Sequence, residues 1–223
     1  MNTTEKTLPK QNLAKALMRF ILLLLLAQGV RALLAWLLMS VAGLEKDVAN
    51  PLIFAGMAVI VWLVAQPTWQ DLALDLRDTS RGTWWLYGAM ALIILMLLAA
   101  NFLLDHTLWL QNLYGVIIVP LVEEALFRGL GWGRISNALP QQWNGFVTWI
   151  LISVLFGLWH LGYADVIFWH TDQPMSLSLL PNVMVWKVLV GGFIGGAAGL
   201  ARWKFGKLPG AVFVHALFNI FGR

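Results

Sequence analysis

Two adjacent carboxylates, Glu123 and Glu124, lie four or five residues before Arg128 in an otherwise apolar stretch. Further along come Phe156 and His160, then His215 and Asn219, each pair at the i, i+4 spacing that shares a helical face. Carboxylate, imidazole and amide groups of this kind can abstract a proton, orient a water and donate hydrogen bonds to a developing oxyanion. Their setting makes them conspicuous, because ionisable groups inside a membrane span are costly and rare.

The two glutamates divide by helical geometry. Glu124 and Arg128 are i and i+4 in the favourable order, acid before base, and so predict a structural ion pair. Glu123 points about 100° away around the helix and has no sequence-local cation. A carboxylate buried without a paired cation holds a proton more tightly than one in water, which suits a general base near neutral pH. His160, at the end of an apolar helix, reads in isolation as an interface histidine. His215 and Asn219 read either as oxyanion donors or as interhelical hydrogen-bonding glue.

The elements that position these groups follow from composition. The chain has 223 residues, 60% hydrophobic and only 12% charged, with a mean hydropathy of +0.74. A soluble domain carries about twice that charge fraction. The expectation is an all-α, polytopic membrane helix bundle of about seven helices with the site inside the bundle. Helices are predicted over 17–43, 52–66, 84–104, 111–138, 144–161, 181–204 and 208–221, as one integral-membrane domain, 1–223. The last is short for a full crossing, which needs roughly 20 residues.

Between them, Glu45 to Pro51 predict a short polar turn, and Thr68 to Thr83 an interfacial helix or loop. The stretch from Gly162 to Leu180 predicts the longest loop. Trp84, Trp85, Trp109 and Trp143 sit near the ends of apolar runs, as interfacial anchors do.

The connections set an orientation. With the N-terminus in the cytoplasm, the inner loops hold Arg77, Arg81, Arg134, Arg202, Lys204 and Lys207, and the outer loops hold Lys46 alone. The net charge of +4 then reflects the lipid bilayer as a partner, not nucleic acid. The chain contains no cysteine, which excludes a disulfide, a thiol nucleophile and a thiolate metal site.

Remaining polar residues carry weaker signals. Arg31 interrupts the first helix and predicts snorkelling or packing against another helix. Gln28 and Asn101 predict helix–helix contacts. His106, Asp165, His170 and Asp172 fall in outer loops and are expected to be solvated. Gly191, Gly195 and Gly199 recur every four residues, a spacing that lets helix backbones approach closely. No strand precedes them, so they do not make a dinucleotide fingerprint.

The ordered set Glu-Glu-x-x-x-Arg, Phe-x-x-x-His and His-x-x-x-Asn resembles the CAAX protease and bacteriocin-processing family, also called the Abi family of intramembrane proteases. The resemblance covers about residues 111–221, including the Gly-rich sixth helix and Gly206-Lys207-Leu208-Pro209. It implies a membrane-embedded endopeptidase acting on membrane-associated, CAAX-type or prenylated, peptide or protein substrates. Glu123 would be the base and His160 its water-orienting partner. His215 and Asn219 would be the oxyanion donors, with Glu124, Arg128 and Phe156 supporting. The family is often labelled metalloprotease. One Glu and two His can ligate zinc, and the metal alternative would use Glu123, His160 and His215. The His-Glu-x-x-His pair is absent, and the pattern works without a metal, so no cofactor is favoured.

Two other readings fit the same polar residues. One is a non-proteolytic membrane scaffold or partner-regulating protein on this fold. The other is a proton-relay transporter, whose related halves with broken helix pairs are not found.

Overall fold

The computed structural model describes residues 12–169 and 178–221. His170 and Asp172, Lys6 and Lys10 lie outside the described residues. Those described form seven main helices and no strand. Helix α1 spans Leu13–Val41, α2 Lys46–Ala65 and α3 Arg81–Leu104. Helix α4 runs over residues 109–136, α5 begins at Asn144, α6 spans Leu180–Phe205 and α7 Leu208–Phe221.

Local chemistry explains the helix ends. Asn12 caps α1, its side chain accepting from the Ala14 amide at 2.9 Å. Ser80 caps α3 through the Thr83 amide. Helix α6 stops at Gly206, which takes the left-handed conformation (φ 66°) that glycine adopts without a Cβ clash. The tight turn 206–207 then sends α7 back beside α6.

Two predicted boundaries need correction. The polar turn expected over Glu45–Pro51 is mostly helix, because α2 already starts at Lys46. Asp47 sits in the first turn, where its charge suits the helix dipole, and Pro51 lies inside the helix, in its second turn, where it cannot donate to the Asp47 carbonyl. The loop expected from Gly162 is also wrong in its first part. Beyond Trp159, α5 tightens into a 3₁₀ turn, His160–Tyr163, and continues as a helix through Ala164–Trp169. The segment between α2 and α3 is a chain of turns.

Among the described residues, five helices are long and apolar enough to cross a membrane: α1, α2, α3, α5 with its extension, and α6. The protein is an integral membrane protein. Large apolar side chains such as Leu25, Leu63, Leu95, Leu103 and Phe193 are exposed, as lipid-facing groups are. Helix α4 is different. Its middle, from Leu126 to Trp132, is buried throughout, and it is the element the others wrap.

The main packed cluster joins α1 (Phe20, Leu23, Ala27), α2 (Ile53, Phe54, Met57), α4 (Leu126, Phe127, Leu130) and α5 (Ile152, Phe156, Trp159). Inside a bilayer such contact is driven by close packing, not by exclusion of water. Gly131 shows how close: a Cβ there would lie 2.4 Å from Phe20 and 2.9 Å from Ile152.

Candidate active site

Helix α4 carries both glutamates between two π-helical stretches, Leu113–Ile118 and Ala125–Gly131. Such wider turns recur at functional sites, because they re-aim side chains and free backbone carbonyls. Both effects are used here. The Gly115 carbonyl in the first stretch accepts the Asn219 amide at 2.7 Å. The Arg128 carbonyl in the second accepts Arg202 Nε at 3.0 Å.

Glu123, Glu124 and Arg128 are all buried. Arg128 Nη1 donates to Glu124 Oε1 at 2.9 Å, the ion pair that the spacing predicts. Arg128 Nη2 donates a short bond, 2.5 Å, to the Gly195 carbonyl of α6. Its guanidinium lies 4.4 Å from the Phe156 ring centroid, a cation–π contact. Removing one partner of a buried pair leaves the other uncompensated, at a cost of about 3–5 kcal/mol.

Glu124 does more than bind Arg128. Its Oε1 also meets His215 Nδ1 at 2.8 Å. The other imidazole nitrogen, His215 Nε2, faces Glu123 Oε2 at 3.9 Å. That separation is too long for a direct hydrogen bond and short enough for one water to bridge.

Glu123 is held by donors that the sequence reading missed. Trp159 Nε1 donates to Glu123 Oε1 at 2.8 Å and the Tyr163 hydroxyl at 2.6 Å. Trp159 ends the α-helical part of α5 and Tyr163 lies in its 3₁₀ extension, which places a second functional face beside His160. Their i, i+4 spacing around His160 was the available signal.

His160 Nδ1 lies 2.8 Å from the Phe156 carbonyl. As that carbonyl can only accept, Nδ1 carries the proton and Nε2 is left with a lone pair. Phe156 is the hub of the cluster. Its ring makes edge contacts with His160 (5.1 Å between centroids), His215 (5.5 Å) and Phe127 (4.9 Å).

The glycine stripe of α6 has an assignable use. A Cβ on Gly191 would lie 2.5 Å from His160 Nδ1. One on Gly195 would lie 3.0 Å from Phe156 and 3.1 Å from Arg128 Nη2. One on Gly199 would lie 2.7 Å from Trp149. The backbones of α5 and α6 also come close where Gly157 faces Gly192. The stripe therefore makes room for the site's own side chains as well as for backbone approach.

Of the predicted residues, Glu123, Glu124, Arg128, Phe156, His160 and His215 form one connected cluster. Asn219 reaches the same helix, α4, through Gly115, two turns before the glutamates. His106 is exposed. Asp165 was expected to be solvated, and that is corrected: it is paired with Arg31 at 2.7 Å and is largely buried. Arg31 thus packs against another element, and Gln28 does so too, donating to the Trp159 carbonyl at 2.9 Å.

Zinc was the alternative for Glu123, His160 and His215. Among the described residues no group of three or more His, Asp or Glu is arranged to hold a metal ion. His160 and His215 each have Nδ1 engaged, by the Phe156 carbonyl and by Glu124, which leaves Nε2 as the nitrogen each could offer a metal.

Comparison with family models matches residues 105–221 to the type II CAAX prenyl endopeptidase, Rce1-like, family. The chain belongs to this family. The matched region of this Rce1-like protein holds α4 to α7 and every residue of the cluster. Helices α1 to α3 precede it. Comparison with curated proteins and with solved structures gave no match. Family membership makes the Rce1-like chain a CAAX protease-type peptidase of the membrane.

Proposed function

We propose that the protein is an intramembrane endopeptidase that hydrolyses peptide bonds of membrane-associated, CAAX-type substrates with a water activated by Glu123. One observation carries this reading. Glu123 Oε1 is pinned by two donors, while Oε2 is turned towards His215 Nε2 across a gap of 3.9 Å.

In this reading Oε2 takes a proton from the water as the water oxygen bonds to the scissile carbonyl carbon. The carbonyl electron pair moves to its oxygen. His160 Nε2, the ring nitrogen with the free lone pair, accepts a hydrogen bond from the other water O–H, which stays on the attacking oxygen, and so aims the attack. On collapse the C–N bond breaks, and the proton on Glu123 passes to the leaving amine.

The oxyanion needs donors. His215 binds the Glu124 carboxylate through Nδ1–H, so it can donate from Nε2 only as an imidazolium. The charges then balance, with two carboxylates against Arg128 and His215. The Asn219 amide has a second N–H beyond the one given to Gly115. No metal is used in this scheme. Prenylated substrates are the preferred class, and the basic inner loops favour a cytoplasmic N-terminus.

The test uses purified protein in liposomes and a prenylated CAAX-type peptide with a quenched fluorophore. Glu123→Gln and His160→Ala should each abolish release with unchanged thermal melting. Full activity in both variants overturns the assignment.

A further inference from the structure

Arg31 lies on α1, outside the matched family region, yet it is 97% buried by residues on the far side of the site. Its Nε donates to Gln28 Oε1 and its Nη2 to both the Gly162 carbonyl and Asp165 Oδ1, each at 2.7 Å. Its guanidinium lies 4.9 Å from the Tyr163 ring centroid. Gln28 completes the grip by donating to the Trp159 carbonyl. A Cβ on Gly162 would lie 2.2 Å from the Gln28 amide, so a side chain there would displace that amide from the grip.

Apart from the Arg31–Gln28 bond within α1, every one of these contacts falls on residues 159–165. That is the segment whose two side chains, Trp159 and Tyr163, hold Glu123 Oε1. Without the grip it is a single 3₁₀ turn, a form with poor hydrogen-bond geometry of its own. We propose that Arg31, with Gln28 and Asp165, is a positioning residue. It locks the turn after α5 so that Tyr163 and Trp159 fix the Glu123 carboxylate with Oε2 free.

This inference rests on Glu123 being the reactive carboxylate, so it needs one measurement that does not depend on cleavage. The chain has only three tyrosines, Tyr87, Tyr114 and Tyr163. Protein labelled with 3-fluorotyrosine gives three fluorine signals, and Tyr163→Phe identifies the one that matters. Both Glu123→Gln and Arg31→Gln should move the Tyr163 signal and leave that of Tyr87 in place. A Tyr163 signal that responds to Glu123→Gln but not to Arg31→Gln overturns the proposal, whatever the protein cleaves.

Kinetics supply the second arm. Arg31→Gln and Tyr163→Phe should each lower kcat roughly tenfold or more, with KM little changed. The double variant should lose less than the product of the two single losses, since Arg31 acts in part through Tyr163. Losses that multiply would mean a general structural role and overturn the proposal. If Arg31→Gln does not fold, Gln28→Met removes one arm of the grip and is read by both measurements with the same outcomes.

Discussion

His215 is bound by Glu124, with Nδ1 2.8 Å from Oε1, and only faces Glu123 across 3.9 Å. The second glutamate therefore joins two functions in one carboxylate. It neutralises Arg128 and fixes the direction of the imidazole that faces Glu123.

Glu124 variants should separate these functions. Glu124→Ala leaves Arg128 buried without its partner and should destabilise the fold by about 3–5 kcal/mol. Glu124→Gln keeps an acceptor for both neighbours at the same size. It should melt closer to the parent, yet lose about 100-fold in kcat because the imidazole is no longer paired with a charge. Thermal melting in detergent and peptide cleavage, measured on the same samples, check both. Equal melting of the two variants would mean that the charge of Glu124, not its hydrogen bonds, is what holds Arg128.

The glycines of α6 give a sharper contrast. A methyl at Gly191 would push into the His160 ring, and one at Gly195 into Phe156 and Arg128. Gly192 and Gly196 have nothing within 4 Å of such a methyl. Gly191→Ala should therefore lower kcat at least tenfold by displacing the ring. Gly192→Ala and Gly196→Ala should keep activity and gain up to about 1 kcal/mol from better helix propensity. Comparable activity in all of these variants would show that the stripe serves backbone approach alone.

Asn219 lies further along α7 than His215 and already donates one N–H to Gly115. If its second N–H meets the oxyanion, Asn219→Ala should lower kcat by roughly 100-fold and leave KM nearly unchanged. Asn219→Asp, an acceptor facing an anion, should be at least as damaging. A change confined to KM would place Asn219 in substrate binding or helix packing.

Legibility in the sequence followed the range of each interaction. Glu124 and Arg128 are four residues apart, so helical geometry alone pairs them. The seven helices were visible because apolar runs bounded by charge have a fixed relation to membrane thickness. Interactions between distant segments were not visible. Asp165 read as a loop acid because its partner, Arg31, is 134 residues away. Trp159 and Tyr163 were not singled out in the sequence, because their partner Glu123 is 36 and 40 residues away. The continuation of α5 also moves His160 away from the end of its span, which runs Asn144–Val166.

The loop between α2 and α3 makes a last prediction. Its Leu72 is buried against α4: a Cβ on Gly129 would lie 2.9 Å from the Leu72 side chain and 3.2 Å from its Cα. The Leu208 amide donates to the Ala73 carbonyl at 3.2 Å, and Lys207 Nζ donates to the Asp75 carbonyl. The loop thus ties the second π-helical stretch of α4 to the turn between α6 and α7. Leu72→Ala should open a cavity and cost about 2–5 kcal/mol. Loss of the tie should also raise the rate of proteolytic cutting between residues 66 and 80. Trp69→Ala, which removes an exposed side chain of the same loop, should change neither. Equal cutting of the two variants would mean that the loop is not anchored through Leu72.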